Sequence, residues 1–315
     1  MTWQLYQLRF RVLSPLHVGC QKIGNIQRTR HYVMAWQMWG ALTAKLTRSA
    51  LYGEWTPPAD VAPGDYESMG ELVSQQIAFS YLYPESESGQ PLFPYQSPTG
   101  LAYGFYNGKE VLSADVFAWR YLNSYASTAL DYNANAAEEG TLHETEFIAP
   151  QTRSDGSPGT YDVYLTGYVF VRADCTLSYW RTALEELQVG GERKSGWGRV
   201  RLAGEIEDIG RTKKKLFGLI EYDLSAGPPT VEVKPRTPLL AHVSLLNGFC
   251  QATITFKGDI EPLTSRAWDK YKGAGQDIQA KGVYYTPGTI FEGEQEPNHQ
   301  RLKFKIDQYG LWKSV

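Results

Sequence analysis

Between a helix-patterned and a strand-patterned segment the chain carries Gly190 to Val200, GGERKSGWGRV, with four glycines and three cations in eleven residues. Such a turn needs positive φ and brings backbones close to one another, which constrains the fold more than any other stretch. Arg193, Lys194 and Arg199 flank Ser195 and Gly196 and supply charge able to neutralise phosphates. Trp197, between Gly196 and Gly198, offers a flat surface on which a base stacks. The plainer alternative is a helix C-cap at Gly190 or Gly191 followed by solvated charges. The stretch does not match GxxxxGK[ST], and a GxGxxG turn would follow a strand and open a helix, the reverse of the order here. Nucleoside-triphosphate and dinucleotide sites are therefore disfavoured.

The flanking patterns give that turn its setting. Trp3 to Val12 alternates with period two, Tyr6, Leu8, Phe10 and Val12 on one parity, and ends at Ser14-Pro15. Met34, Met38, Leu42, Leu46 and Ala50 recur every fourth residue, which predicts a helix over 34–51. Residues 71–83 fit helix or strand, and from about 84 to 145 the chain is acidic and rich in Pro, Gly, Ser and Asn, an irregular insertion. YDVYLTGYVFVR, 161–172, predicts a strand; TLSYWRTALEEL, 176–187, predicts a helix capped by Thr176; and 197–209 alternates as a last strand. This α+β order is that of a ferredoxin-like (RRM-like) β-α-β-β-α-β domain with its middle enlarged, over 1–215. After the basic run Arg211 to Lys215, four strand-like runs (LFGLIEY, CQATITFK, IQAKGVYYT, LKFKI) predict a second, strand-rich lobe over 216–315.

In the 4-1-3-2 strand order of that fold the first and last strands pair, so the loop after the first and the loop before the last border one surface. Charge strengthens the point. The formal net charge is −3, yet residues 1–51 hold seven cations and no acid, while 52–146 hold fourteen acids against Lys109 and Arg120. His17, Gly19, Lys22, Arg28 and Arg30 lie in the basic loop and are expected to meet Gly190 to Arg199 on one face for a polyanion. Each cation taken alone is an ordinary solvated side chain; the long acid-free run is what joins them. Soluble, cytoplasmic behaviour without membrane contact is expected, because no run of 18 apolar residues exists. Cys20, Cys175 and Cys250 are far apart with no CxxC, so neither a disulfide framework nor a zinc site is expected, and no cofactor is implied.

The stretch GGERKSGWGR resembles the glycine-rich loop of the RAMP proteins, RNA-binding ferredoxin-like subunits of CRISPR interference complexes. Ser14-Pro15-Leu16-His17-Val18-Gly19, Arg28-Thr29-Arg30 and Trp39-Gly40-Ala41-Leu42 resemble the first strand, loop and helix of the same superfamily. The form of the glycine loop is most similar to the type III subunit that caps the 5′ tag of the CRISPR RNA (crRNA), the Cas five-like group including type III-D members. The resemblance implies an antiviral-defence ribonucleoprotein. In it the chain would hold single-stranded crRNA and contact the large polymerase-like Cas subunit and neighbouring RAMP subunits. The acidic insertion suits protein docking better than RNA.

Catalysis is not the expectation. Target-cleaving RAMP subunits use an acidic residue after the first strand, and Cys20 to His31 contains none. Repeat-processing relatives use a general base and acid, for which His17 and His31, beside Lys22 and Tyr32, are the candidates; the alternative is that both are packed side chains. A metal-independent endoribonuclease, another backbone RAMP subunit and a purely protein-binding subunit remain as competing readings. His143, His242 and His299 are isolated, with neither HExxH nor GxSxG present.

Overall fold

The computed structural model describes residues 2–52, 63–104, 111–154, 160–210, 214–225, 227–245, 254–269, 273–292 and 301–315. The chain runs through β1 (Trp3–Val12), the hairpin β2 (Gly19–Ile23) and β3 (Ile26–Thr29), helices α1 (Ala35–Tyr52) and α2 (Pro63–Gln76), and β4 (Ile77–Phe79). Then come α3 (Ala114–Tyr121), β5 (Leu122–Ser127), β6 (His143–Ile148), β7 (Tyr164–Arg172), α4 (Trp180–Leu184), β8 (Glu186–Gln188) and β9 (Arg199–Leu202). A long hairpin, β10 (Ile260–Asp269) and β11 (Gly273–Tyr285), stands in the C-terminal third. The architecture is mixed α+β, rich in strands and poor in helices.

One antiparallel sheet has the order β8-β9-β1-β7-β4. The parity of β1 explains its two faces. Tyr6, Leu8, Phe10 and Val12 are buried on the side of the helices, where the rings of Tyr6 and Trp180 of α4 lie 5.3 Å apart. Gln7 and Tyr168 are paired in register on the other face, where the Phe217 N–H donates to the Tyr168 hydroxyl at 2.9 Å. Covered on both faces, β7 is buried from Leu165 to Val171, which is why it reads as a continuous apolar run instead of an alternation.

Helix α1 covers the expected span and turns Met38, Leu42 and Leu46 inward, all 5% exposed or less. The 71–83 ambiguity resolves into both elements, α2 ending at Gln76 and β4 following directly. The second predicted helix is shorter than its pattern, only Trp180–Leu184. The Thr176 amide and hydroxyl both donate to Gln76 Oε1, at 2.7 and 3.2 Å, so Thr176 is tied to α2 instead of capping. At the other end Glu186 to Gln188 leave the helix to pair with Arg199 to Arg201. The predicted last strand is broken near Gly204, and both pieces, Arg199–Leu202 and Glu207–Asp208, pair with β1.

Among its described residues the acidic insertion holds regular elements instead of the irregular structure expected. It holds an antiparallel set, Phe93–Ser97, Gly100–Gly104 and Val111–Ser113, and then α3, whose Val116 N–H donates to the Ser113 side chain. Stacked rings of Tyr103, Phe117 and Tyr121 give it a core, centroids 4.1 and 5.0 Å apart. Strands β5 and β6 then join the basic hairpin in a four-stranded sheet, β2-β3-β6-β5.

The C-terminal third is built of strands. Its eight-stranded sheet runs Lys215–Leu216, Ile220–Asp223, Thr230–Val233, Leu302–Ile306, Trp312–Ser314, Val243–Ser244, β11, β10. LFGLIEY is interrupted at Phe217, which adopts φ 49°. Residues 211–213 of the basic run, 250–253 of CQATITFK with Cys250, and His299 lie outside the described residues.

Candidate nucleic-acid interface

The two loops singled out in the sequence meet at the end of β1. The Gly191 N–H donates to the His17 carbonyl at 2.9 Å and the Gly198 N–H to the Pro15 carbonyl at 2.8 Å. Ser14 closes the seam from the other side, donating through its hydroxyl to the Gly196 carbonyl and accepting from the Arg199 N–H, both at 3.0 Å. Two glycines make this approach possible. A β-carbon on Gly190 (φ 84°) would stand 2.3 Å from the His17 carbonyl oxygen, and one on Gly198 (φ 80°) 1.9 Å from that of Val189. Between them Arg193–Ser195 forms a single 3-10 turn, entered by Glu192 at φ 52° and left by Gly196 at φ 81°.

The predicted charges divide into two groups. Lys22, Arg193 and Lys194 are exposed and have no acidic partner among the described residues. Arg28 reaches Glu146 at 3.3 Å and Arg199 reaches Glu186 at 2.6 Å, both remaining about half exposed. Arg30 is different: its side chain is only 10% exposed and its Nη1 donates to Glu261 Oε1 at 2.5 Å. His242, fully buried, meets the same oxygen through Nε2 at 2.5 Å, and its Nδ1 lies 2.7 Å from the Tyr81 hydroxyl. Burial raises the Glu261 carboxyl, but the bonds from His242 and Arg30 outweigh it and hold the group down at about 2. Arg30 thus joins the basic loop to β10, a role no local sequence signal announced, because Glu261 lies 231 residues away.

Both candidate histidines are packed. His17 is 6% exposed, with Nδ1 donating to the Glu146 carbonyl at 2.6 Å; its ring borders Gly19 and Gly191. The His31 Nδ1 lies 2.5 Å from the Tyr103 hydroxyl and the ring stacks on Phe117 at 5.2 Å. Burial, with Arg28 adding repulsion, pulls His31 down to about 4.

Trp197 is half-buried against Phe147, ring centroids 5.0 Å apart, and Tyr125 stands edge-on to it at 6.3 Å. Tyr125 is 61% exposed. Sequence reasoning passed over it, since β5 lies in the acidic insertion; the exposed aromatic among small polar residues in LNSYAS is the signal that was there. Among the described residues no group of three His, Cys, Asp or Glu is placed to hold a metal, and no helix is long and apolar enough to cross a membrane.

Fold and site together define a strand-rich α+β chain in which a glycine-rich turn is clasped to a basic loop at the end of the central sheet. No family model and no curated protein matches the sequence. In fold the chain is similar to a chain of the type III-B Cmr-beta complex bound to cognate target RNA and AMPPnP, at a TM-score of 0.53 and 13% identity, covering 90% of this chain and 85% of that one. It is similar also to a chain of Cmr-beta bound to cognate target RNA, at a TM-score of 0.51 and 14% identity, covering 90% and 86%.

Proposed function

We propose that this chain is a non-catalytic crRNA-binding subunit of a type III CRISPR effector complex. It holds the guide RNA through the clasped loops and works in the cytoplasm. The observation that carries the reading is the seam between Ser14 to His17 and Gly191 to Arg199, with Arg193 and Lys194 exposed in the same turn as Trp197 and Lys22 exposed on the basic hairpin. Backbone closeness, unpaired cations and a ring are what a single-stranded RNA requires. The antiparallel order β9-β1-β7-β4, with α1 and α4 on one face, supports a ferredoxin-like RAMP domain enlarged in its middle and followed by a strand-rich lobe. Fold likeness to chains of RNA-bound type III-B complexes supports the effector class.

The 5′ tag of the crRNA is the proposed ligand, and the large polymerase-like Cas subunit and neighbouring RAMP subunits are the proposed partners; the form of the glycine loop favours the Cas five-like group. Replacing Arg193 and Lys194 together by Glu tests the assignment in the co-expressed complex. Loss of co-purifying RNA and of assembly is expected, and unchanged RNA content would sink it. Non-catalysis rests on His17 and His31 each holding a protein partner through Nδ1, the Glu146 carbonyl and the Tyr103 hydroxyl. A discrete product from repeat RNA in EDTA, lost on His31→Ala, would favour the nuclease instead.

A further inference from the structure

The four-stranded sheet beside the glycine turn has two chemically distinct faces. Cross-strand partners share a face, and the registers Lys22↔Gln27, Gln27↔Thr145 and Thr145↔Tyr125 set these four residues in one row across β2, β3, β6 and β5. Phe147 and Asn123, paired with each other, lie two positions further along the same face. This is the face on which Trp197 packs, through Phe147 and Tyr125. Opposite it lie Glu144 and Glu146, the latter bonded to Arg28. The Trp197 face therefore presents no carboxylate from these rows. It has a cation at either side: Lys22 at the β2 edge, and Arg153, whose Nη2 donates to Asn123 Oδ1 at 2.8 Å, by β5.

We propose that the Tyr125 end of this face is a second contact for the RNA held by the glycine turn, with one unpaired base stacked on the exposed Tyr125 beside Trp197 and the backbone continuing toward Lys22 at the far edge. The inference rests on the functional reading above and adds a place and a direction to it. Thr145, between them in the row, is 4% exposed and Phe147 7%, so the accessible ends of the face are Tyr125 and Lys22, three inter-strand steps of about 4.8 Å or about 14 Å apart. Single-stranded RNA fits better than a protein partner. An aromatic ring accepts any base on its face, and strand rows that carry no carboxylate here, with Lys22 at one edge and Arg153 at the other, suit a phosphate chain.

The test uses the purified full-length chain and a short fluorescein-labelled single-stranded RNA, with a second RNA lacking bases. Tyr125→Ala is expected to weaken binding of the normal RNA about tenfold, the order found for removing one stacked base, while Tyr125→Phe binds like the unaltered chain. The abasic RNA is expected to bind equally well to both, and the part of the tryptophan fluorescence lost in Trp197→Phe, one of nine tryptophans, to be quenched only by RNA with bases. Lys22→Ala is expected to lower the salt dependence by the equivalent of about one neutralised phosphate. If Tyr125→Ala binds as well as the unaltered chain while the Arg193→Glu, Lys194→Glu variant has lost binding, the second contact is wrong and the functional reading stands. If Tyr125→Ala changes only assembly with other subunits, the face is a protein contact and the proposal is overturned. If the unaltered chain binds no RNA, the functional reading itself falls.

Discussion

Gly190 lies so close to His17 that a β-carbon on the glycine would sit 2.3 Å from the histidine's carbonyl oxygen. The loop carrying the candidate RNA contacts is therefore set by a backbone fit as well as by charge. Gly190→Ala and Gly198→Ala must separate two backbones in addition to bearing the left-handed strain of about 1–2 kcal/mol. Gly196, also at positive φ, would place its β-carbon in open space, so Gly196→Ala should show only that strain. Urea denaturation of the three variants should rank Gly196→Ala as the mildest; equal losses would mean that the seam yields freely.

Arg30 and Lys22 sit in one basic loop and should behave in opposite ways. Arg30→Met leaves Glu261 with His242 as its only partner among the described residues, and removing one member of such a partly buried pair costs up to about 3–5 kcal/mol. Lys22→Ala should leave the denaturation midpoint unchanged and alter only RNA affinity. A stable Arg30→Met chain with weakened RNA binding would instead make Arg30 a ligand.

Arg193 and Lys194 are exposed and have no acidic partner among the described residues, so replacing both with Ala should leave stability within about 0.5 kcal/mol. The logarithmic salt slope of RNA binding should become shallower by about 0.7 for each phosphate that is no longer neutralised. Titrations at several potassium chloride concentrations measure it.

Stability should also fall as the medium is acidified. His31 is held at about 4 against an ordinary value near 6.5, so the unfolded chain takes up its proton first. Its contribution is complete above the ordinary value and is lost as the pH drops toward 4, up to about 3 kcal/mol. His242, lowered chiefly by burial, acts in the same sense. Urea curves at pH 7.5 and 5 should differ by less in His31→Gln, and an unchanged difference would assign the effect elsewhere.

The legible parts of the fold were those whose pattern is local. The alternation in β1, the fourfold spacing in α1 and the glycines of 190–198 each report a periodicity or a backbone need, and their meeting follows from strand order. What escaped depends on distant partners. Thr176 looked like a cap because Gln76, a hundred residues earlier, is invisible to local pattern. The insertion looked irregular because its core is made of rings stacked across elements, Tyr103 on Phe117 on Tyr121, in a setting of Pro, Gly and Ser. Charge counting placed Arg30 with Lys22 although Glu261 engages it, and passed over Tyr125 because its strand carries no cation.

The Ser14 seam joins residues 182 and 185 positions apart. Contacts of such sequence separation form only after a large loop has closed, so they belong to the slow, late part of folding. A chain still emerging from the ribosome, or cut short before Gly190, has the basic hairpin but not the glycine turn that closes on the Ser14 to His17 segment. Its cations would then meet polyanions without the backbone fit. The seam thus acts as a proof of completeness, and amide hydrogen exchange at Gly191 and Gly198 should slow only when the whole central sheet is in place.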